Sequence, residues 1–305
     1  MKRKVIQLAE KTHVISLPIN WIKKFNIKKG DELDLEEVGN TITIKQFKQE
    51  TESKKIQTSA IDSNEKTLKY TLSALHKLGY DEITIKYGKE KIKNPLYEIL
   101  PLFLGFTIVE HDDNKTVIKK ISREEESELD ASLRRAFRVI ISLANSTLEI
   151  IKEEKFQNLI NNIESETIVN QLTSYCLRLI NKGLYKEKQK ELFLVTVIWN
   201  LEKIADEYKS IIINLKENKE KINKDLLEAY EKINSFVNGY YELFYDYSTQ
   251  KLSKLSEDKE NITKSLNNIK VNSKYENQLI MKLSNIASKT SDLSSSIIAL
   301  NYEKI

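Results

Sequence analysis

The chain is poor in the residues that punctuate or crosslink a fold: one cysteine, three prolines and seven glycines in 305 residues. A single cysteine excludes an intramolecular disulfide and a multi-cysteine zinc site. Cys176 itself lies in an apolar helical stretch that suits a small core residue. The three histidines, His13, His76 and His111, fall in separate segments without ligand spacing. No glycine loop that could cradle a phosphate and no nucleophile motif is present, so the chain is not read as an enzyme. Long hydrophobic runs are missing too. The longest, Ile99 to Val109, is broken by Pro101 and Gly105, and falls far short of the roughly 20 residues that cross a bilayer. The basic start Met1-Lys2-Arg3-Lys4 is not followed by a continuous apolar region, as a signal peptide would require, so a cytoplasmic protein is expected. A strong charge bias is also lacking. With a net charge of +4, any nucleic-acid site must be a local patch.

Hydrophobic residues make up 40% of the chain and charged residues 31%, enough for real cores beneath a charged surface. The scarce prolines and glycines are unevenly placed. All three prolines and five of the seven glycines precede residue 106. Helix interiors exclude proline and penalise glycine by about 1 kcal/mol, so a mixed front and an all-helical back are expected. In the front, Lys4–Leu8, His13–Leu17, Glu32–Glu36 and Thr41–Lys45 alternate like strands. Pro18 to Phe25 suits one short helix with Pro18 near its start. Lys29-Gly30-Asp31 and Val38-Gly39-Asn40 are turn sequences. Four short strands and one helical turn bury little surface, and such a unit needs a second copy to complete its core.

A polar, aperiodic stretch from Thr51 to Ser63 reads as a linker. A small α+β segment at 62–120 follows. Its helix around Leu68, Leu72, Leu75 and Leu78 stops at Gly79. The strand Glu82–Lys86, a second helix over Lys93 to Leu104, and the strands Phe106–Glu110 and Thr116–Ile118 complete it. From residue 122 the period is helical. Apolar stripes run through Leu133, Phe137, Ile140, Ala144, Leu148 and Ile151, and through Leu159, Ile163, Val169, Leu172, Cys176 and Leu179. The next pass through Leu194, Ile198, Leu201, Ala205, Tyr208 and Ile212, then Leu226, Tyr230, Ile233, Val237, Tyr240 and Phe244. Shorter stripes at Leu255–Ile269 and Leu279–Ile297 bring the expected total to six helices, arranged as two three-helix repeats over 122–305.

Thr12-His13-Val14-Ile15-Ser16-Leu17-Pro18, then Trp21, then Lys28-Lys29-Gly30-Asp31-Glu32-Leu33, resembles the N-terminal module of the SpoVT/AbrB swapped-hairpin family, over nearly all of residues 1–50. The resemblance implies a homodimer whose exchanged hairpins bind DNA. The basic side chains available are Lys2, Arg3, Lys4, Lys11, Lys23 and Lys24, with Lys28 and Lys29 beside them. Many members carry Gly-Arg where this chain has Thr12-His13, so an arginine suited to bidentate guanine reading is missing there. The lysines suit phosphate contact better.

In the helical half, Leu201-Glu202-Lys203-Ile204-Ala205-Asp206 resembles the Glu-Arg-Ile-Ala-Asp motif of the PhoU family of phosphate-uptake regulators, supported by Glu166-Thr167-Ile168-Val169-Asn170-Gln171-Leu172 one helix earlier. The order swapped-hairpin module, α+β segment, PhoU-like bundle is known from archaeal proteins. Glu202 and Asp206, four residues apart, share a helix face, and an antiparallel neighbour would offer Glu166 and Asn170. Such oxygen clusters hold hard cations, and the resemblance implies a divalent or ferric metal ion there. Asn170 removes one charge from the pattern. In the second repeat, Leu283-Ser284-Asn285-Ile286-Ala287-Ser288 replaces both acids with serine. The competing reading leaves Glu202 and Asp206 solvated or salt-bridged to Lys203, Lys209 or Arg178. The tyrosines of the fourth bundle helix are read as packing residues, and Arg134, Arg135 and Arg138 as a solvated face or a site for an acidic partner. Together the two resemblances imply a dimeric DNA-binding regulator of phosphate uptake. The alternative is an adaptor that controls a phosphate transporter or signalling protein without touching DNA.

Overall fold

A computed structural model of the chain describes residues 2–8, 11–46, 53–60, 64–87, 96, 99–218 and 221–302. The chain divides into two units, residues 1–53 and 54–305.

The first unit is two hairpins and a helical turn. Strands β1 (Ile6–Leu8) and β2 (Thr12–Val14) pair antiparallel, with Ile6 opposite Val14. The expected strand His13–Leu17 is thus shorter, ending at Val14. Pro18, with φ fixed at −63°, opens helix α1 (Ile19–Lys24), and its carbonyl accepts from the Trp21 and Ile22 amides, both at 3.0 Å. Strands β3 (Leu33–Val38) and β4 (Thr41–Gln46) form the second hairpin, closed by Gly39-Asn40 between the paired Val38 and Thr41. Gly39 has φ +58°, as the two-residue turns that match strand twist require. The two hairpins form separate sheets. No residue whose burial is described in this unit is buried. Val5, Ile6, Leu8, Ile15, Leu35 and Ile42 are all more than half exposed.

The second unit begins with a strand where a linker was expected. Strand β5 (Lys55–Ser59) pairs in parallel with β6 (Glu82–Lys86), joined through helix α2 (Glu65–Lys77). A parallel pair needs such a crossover. Lys55–Ser59 has little apolar character of its own, and its strand form comes from lying against β6. Strands β7 (Phe106–His111) and β8 (Lys115–Lys120) complete a sheet ordered β5-β6-β8-β7. Asn64 caps α2 by accepting from the Thr67 amide at 2.8 Å. Leu68 and Leu72 of α2 cover Ile83, Ile85 and Ile118 of the sheet in one core. The helix expected over Lys93 to Leu104 falls partly outside the described residues; within them, Leu96 and Ile99 are helical and Leu100–Leu102 form a 3-10 turn.

The bundle consists of α3 (Ser127–Lys152), α4 (Leu159–Asn181), α5 (Glu191–Asn218), α6 (Lys224–Tyr245), α7 (Thr249–Asn268), α8 (Lys274–Ser291) and a short α9 (Leu293–Asn301). The sixth stripe therefore spans two helices, broken at Asp292. α3, α4 and α5 pack as one triple and α6, α7 and α8 as another. The triples meet through corresponding members, α3 on α6 and α5 on α8. The apolar stripes converge into one core. Tyr208, Tyr230 and Tyr240 are fully inside it. Serine or asparagine caps open α6, α7 and α8, which fixes where each helix of the second triple starts.

The α+β layer is docked on the bundle within this unit. α2 and the Leu100–Leu102 turn pack on α4. Gly79 ends α2 at φ +85°, and a Cβ there would sit 2.8 Å from the Lys182 side chain. Both the turn and the close approach of α4 call for glycine.

Candidate DNA-contact lysines and bundle carboxylates

The basic side chains proposed for DNA are all exposed: Lys2, Arg3, Lys4, Lys11, Lys23 and Lys24. Lys2 to Lys4 precede β1 at the open end of the first hairpin, and Lys11 lies at its turn. With about 3.3 Å per strand residue, the hairpin spans roughly 10 Å between them. Lys23 and Lys24 end α1, where positive charge complements the helix dipole. Lys24 also lies 5.4 Å from the centre of the Phe25 ring. His13 occupies β2 opposite Gln7, at the position where the resemblance to the swapped-hairpin family implies arginine. Nothing on this surface offers a guanidinium fork beyond Arg3, so the arrangement fits charge contact along a backbone rather than base reading.

The bundle acids form lysine-paired clusters. Glu166 on α4 is buried, at 3% exposure. One of its oxygens accepts from Asn170 Nδ2 at 2.7 Å; the other pairs with Lys209 Nζ of α5 at 2.7 Å. The structure thus brings Glu166 and Asn170 together, as the spacing predicts, but places an ammonium between the helices. Glu202 and Asp206 share Lys203, whose Nζ lies 2.8 Å from Asp206 Oδ2 and 3.7 Å from Glu202 Oε1. The hydrogen bond to Asp206 pushes the Lys203 ammonium above its ordinary pKa. Asn170 keeps a buried carbonyl oxygen with no hydrogen-bond partner among the described residues. A single neutral oxygen beside a lysine is not a cation site. Among the described residues, no three His, Cys, Asp or Glu side chains converge. With Lys209 on Glu166 and Lys203 on Asp206, these four residues do not fit a divalent or ferric ion, which would meet an ammonium at each carboxylate. In the second triple, Ser284 and Ser288 are exposed, and Ser288 Oγ accepts from Lys259 Nζ at 3.0 Å.

Two further charged centres escaped the sequence reading. The first is Glu207, next to Asp206 but facing α8. Its carboxylate pairs with Lys289 at 2.8 Å and Lys282 at 3.0 Å, and Asn285 Nδ2 donates to it at 3.3 Å. Burial alone would raise the Glu207 pKa; the two lysines outweigh it and hold the group below the ordinary carboxylate value. The heptad arithmetic of α5 does put residue 207 on the side of Ile204 and Ile211, the one signal that could have found it.

The second centre joins the α+β layer to the bundle. Arg178 of α4 is fully buried. It donates to Glu124 at 2.6 Å, to the Tyr80 carbonyl at 2.6 Å and the His76 carbonyl at 3.1 Å, and to Asp81. Lys182 binds the same two acids, at 2.7 Å and 2.8 Å, and the Arg178 guanidinium lies 4.8 Å from the Phe106 ring centre. Burial would raise the pKa of Asp81 and Glu124, yet the hydrogen bonds and charges of Lys182 and Arg178 keep both lowered. His76 stacks on Phe103 at 4.5 Å; burial first, then Arg178, drops its pKa to about 3. Arg178 is therefore spent on this junction and does not reach the motif acids.

Two of the three arginines of α3 lie against tyrosines. Arg134 stacks 3.7 Å from the Tyr245 ring centre, and Arg138 Nε donates to the Tyr241 hydroxyl at 3.3 Å. Arg135 is exposed.

Residues 11–52 match the family model described as antidote-toxin recognition MazE, bacterial antitoxin. Among solved structures, the crystal structure of the phosphate transport system regulatory protein PhoU from Streptococcus pneumoniae is similar, with TM-score 0.50 and 14% identity, over 58% of this chain and 95% of that one. No curated protein matches the chain. The chain thus joins a MazE/AbrB-like N-terminal domain to a helical region with the PhoU fold. Among the described residues, no helix is long and apolar enough to cross a membrane.

Proposed function

We propose that the protein is a non-enzymatic, cytoplasmic, dimeric regulator of phosphate uptake that acts by binding DNA through its N-terminal unit, with the PhoU-like bundle as the sensing or partner-binding part. The carrying observation is the first unit itself: two hairpins and a short helix with no described buried residue and seven large apolar side chains more than half exposed. Such a unit is not stable alone, and a second copy laid on those faces supplies the missing core. The exposed basic side chains then line a composite surface from two copies. The likeness of the N-terminal region to a MazE-type domain supports this reading, and the PhoU fold of the bundle supports the link to phosphate.

A fluorescence-anisotropy titration of the full chain on genomic DNA fragments at rising salt tests it. Binding should weaken steeply with salt, and Lys2→Ala/Arg3→Ala/Lys4→Ala should flatten that dependence by roughly 0.9 in log–log slope per lost phosphate contact. Absence of binding to every fragment at low salt overturns the DNA reading. The second reading, an adaptor that touches only a transporter or signalling protein, is favoured by His13 standing where base-reading arginine would be.

A further inference from the structure

The seam where the two triples meet carries two arginines that neither the carboxylate motif nor the N-terminal unit accounts for. Helices α3 and α6 run antiparallel there, so Arg134 and Arg138 advance along α3 while Tyr245 and Tyr241 step back along α6. The Arg134 guanidinium sits over the Tyr245 ring, 3.7 Å from its centre. Arg138 Nε donates to the Tyr241 hydroxyl at 3.3 Å. The two tyrosines meet edge to face at 5.2 Å, and buried Phe137 packs against both, at 5.7 Å and 6.2 Å. This aromatic floor orders the guanidiniums in advance, so little side-chain freedom is lost when something binds them.

A guanidinium carries five N–H donors, and here most of them stay open. Arg178 gives the contrast, since its donors go to two carboxylates and two carbonyls. Arg134 reaches Asp130 only at 3.5 Å, and the Asp130 side chain is 63% exposed. Among the described residues, Arg138 pairs with no carboxylate. The hydrogen bond from Arg138, with a second from Arg134, holds the Tyr241 phenol below its ordinary pKa against the opposing effect of burial. Two cations thus converge on one phenol oxygen with no counter-ion between them.

We propose that Arg134, Arg138 and Tyr241 form a binding site for a tetrahedral oxyanion of the phosphate class, free or as the phosphoryl group of a small ester. The arginines are four residues apart, about 6 Å along the helix, so both forks can close on one anion between them. Tyr241 accepts from arginine and keeps its own proton to donate to the anion. A phosphoryl group has oxygens enough for both forks and the phenol at once, whereas a carboxylate fills one fork. Two acids border the site. Asp130, one turn before Arg134 on the same face, would have to yield; Glu242, next to Tyr241, is held by Asn238 Nδ2 at 2.8 Å. An anion touching both α3 and α6 would fasten one triple to the other. The assignment deepens the sensing role proposed for the bundle and rests on that reading for its meaning, while the binding itself is measured without DNA.

Calorimetry on the full chain at fixed ionic strength tests it, with inorganic phosphate and glycerol phosphate as probes. At least one should give a saturable one-to-one isotherm with Kd of about 1 mM or tighter. Binding of inorganic phosphate alone supports a free ion as the ligand, and binding of the ester supports a phosphoryl group. Arg138→Gln should raise Kd about tenfold, and Arg138→Lys, which keeps the charge but loses the fork, by a smaller factor. Tyr241→Phe should raise it about threefold. Acetate at the same concentration should not compete. Lys2→Ala/Arg3→Ala/Lys4→Ala should leave the isotherm unchanged, which separates this site from the phosphate contacts of the DNA reading. No saturable heat with either probe, equal competition by acetate, or a Kd insensitive to Arg138→Gln overturns the assignment. So does loss of binding in the N-terminal triple variant.

Discussion

The two units of this protein leave apolar surface uncovered for different reasons. The second unit has buried its stripes almost completely: Ile140, Ile198, Ile204, Ile233 and Leu283 are each at 0% exposure. What remains outside there is spread over several elements, from Tyr70 and Ile121 to Leu192, Trp199 and Met281. The first unit has buried nothing that is described, and its apolar residues face out from both hairpins. A long helix brings a whole stripe to its neighbours at once, whereas strands of three to six residues cannot enclose a core without another layer. Exposed apolar surface in the first unit therefore marks strands too short to enclose a core, whereas in the second it lies scattered around a core already closed.

The comparison can be broken most sharply at Arg178. Replacing it with methionine leaves Asp81 and Glu124 buried without their guanidinium partner, and chemical unfolding should show a loss of about 3–5 kcal/mol in the second unit. An unchanged midpoint would mean that the α+β layer and bundle do not depend on this junction. Ile140→Ala should cost about 2–5 kcal/mol through cavity formation, independent of protein concentration. Leu35→Ala in the first unit should act differently, through a midpoint that shifts with concentration, since its burial depends on another copy. Equal behaviour in the two units would dissolve the contrast.

A more gradual effect is expected with acid. His76 titrates near 3 in the fold against 6.5 in the unfolded chain, so the unfolded state binds the extra proton. Stability is complete above 6.5 and falls as pH drops from 6.5 toward 3, by at most about 1.4 kcal/mol per pH unit. Asp81 and Glu124, with lowered folded pKa values, add to the loss only once pH falls below about 4.5 and on through their folded values. Arg178, Glu124 and Lys77 are the charges that act on His76. Unfolding of His76→Phe should therefore be flatter than wild type between pH 6.5 and 5; parallel curves would contradict the buried neutral imidazole. The smallest change belongs to the half-exposed pair Lys152–Glu231, 3.0 Å apart between α3 and α6. Lys152→Ala should move stability by less than about 1 kcal/mol.

The bundle was legible because its signal is local and repeated. Leu133, Phe137, Ile140, Ala144, Leu148 and Ile151 step along one face and all six are buried. The turn at Gly39 and the helix stop at Gly79 were legible for the same reason. Strand β5 was not, since Lys55–Ser59 is polar and becomes a strand only through its parallel neighbour 27 residues away. The Arg178 junction was invisible for a related reason: its partners lie 54 and 97 residues away, and no periodicity links them. The carboxylate site was half legible. Spacing correctly joined Glu166 to Asn170, but it could not show that Lys209, from the next helix, would take the second oxygen.

By itself, then, the sequence determined the order of modules, the helical period of the bundle and the shortness of the first unit's strands, because each follows from residue type and spacing over a few turns. The tertiary structure decided which charges meet. It gave Glu166 to Lys209, Glu207 to Lys282 and Lys289, and Arg178 to Asp81 and Glu124, and it set Arg134 and Arg138 against Tyr245 and Tyr241. Ion pairs and open faces depend on which helices lie side by side, and that is settled by packing across the chain rather than along it.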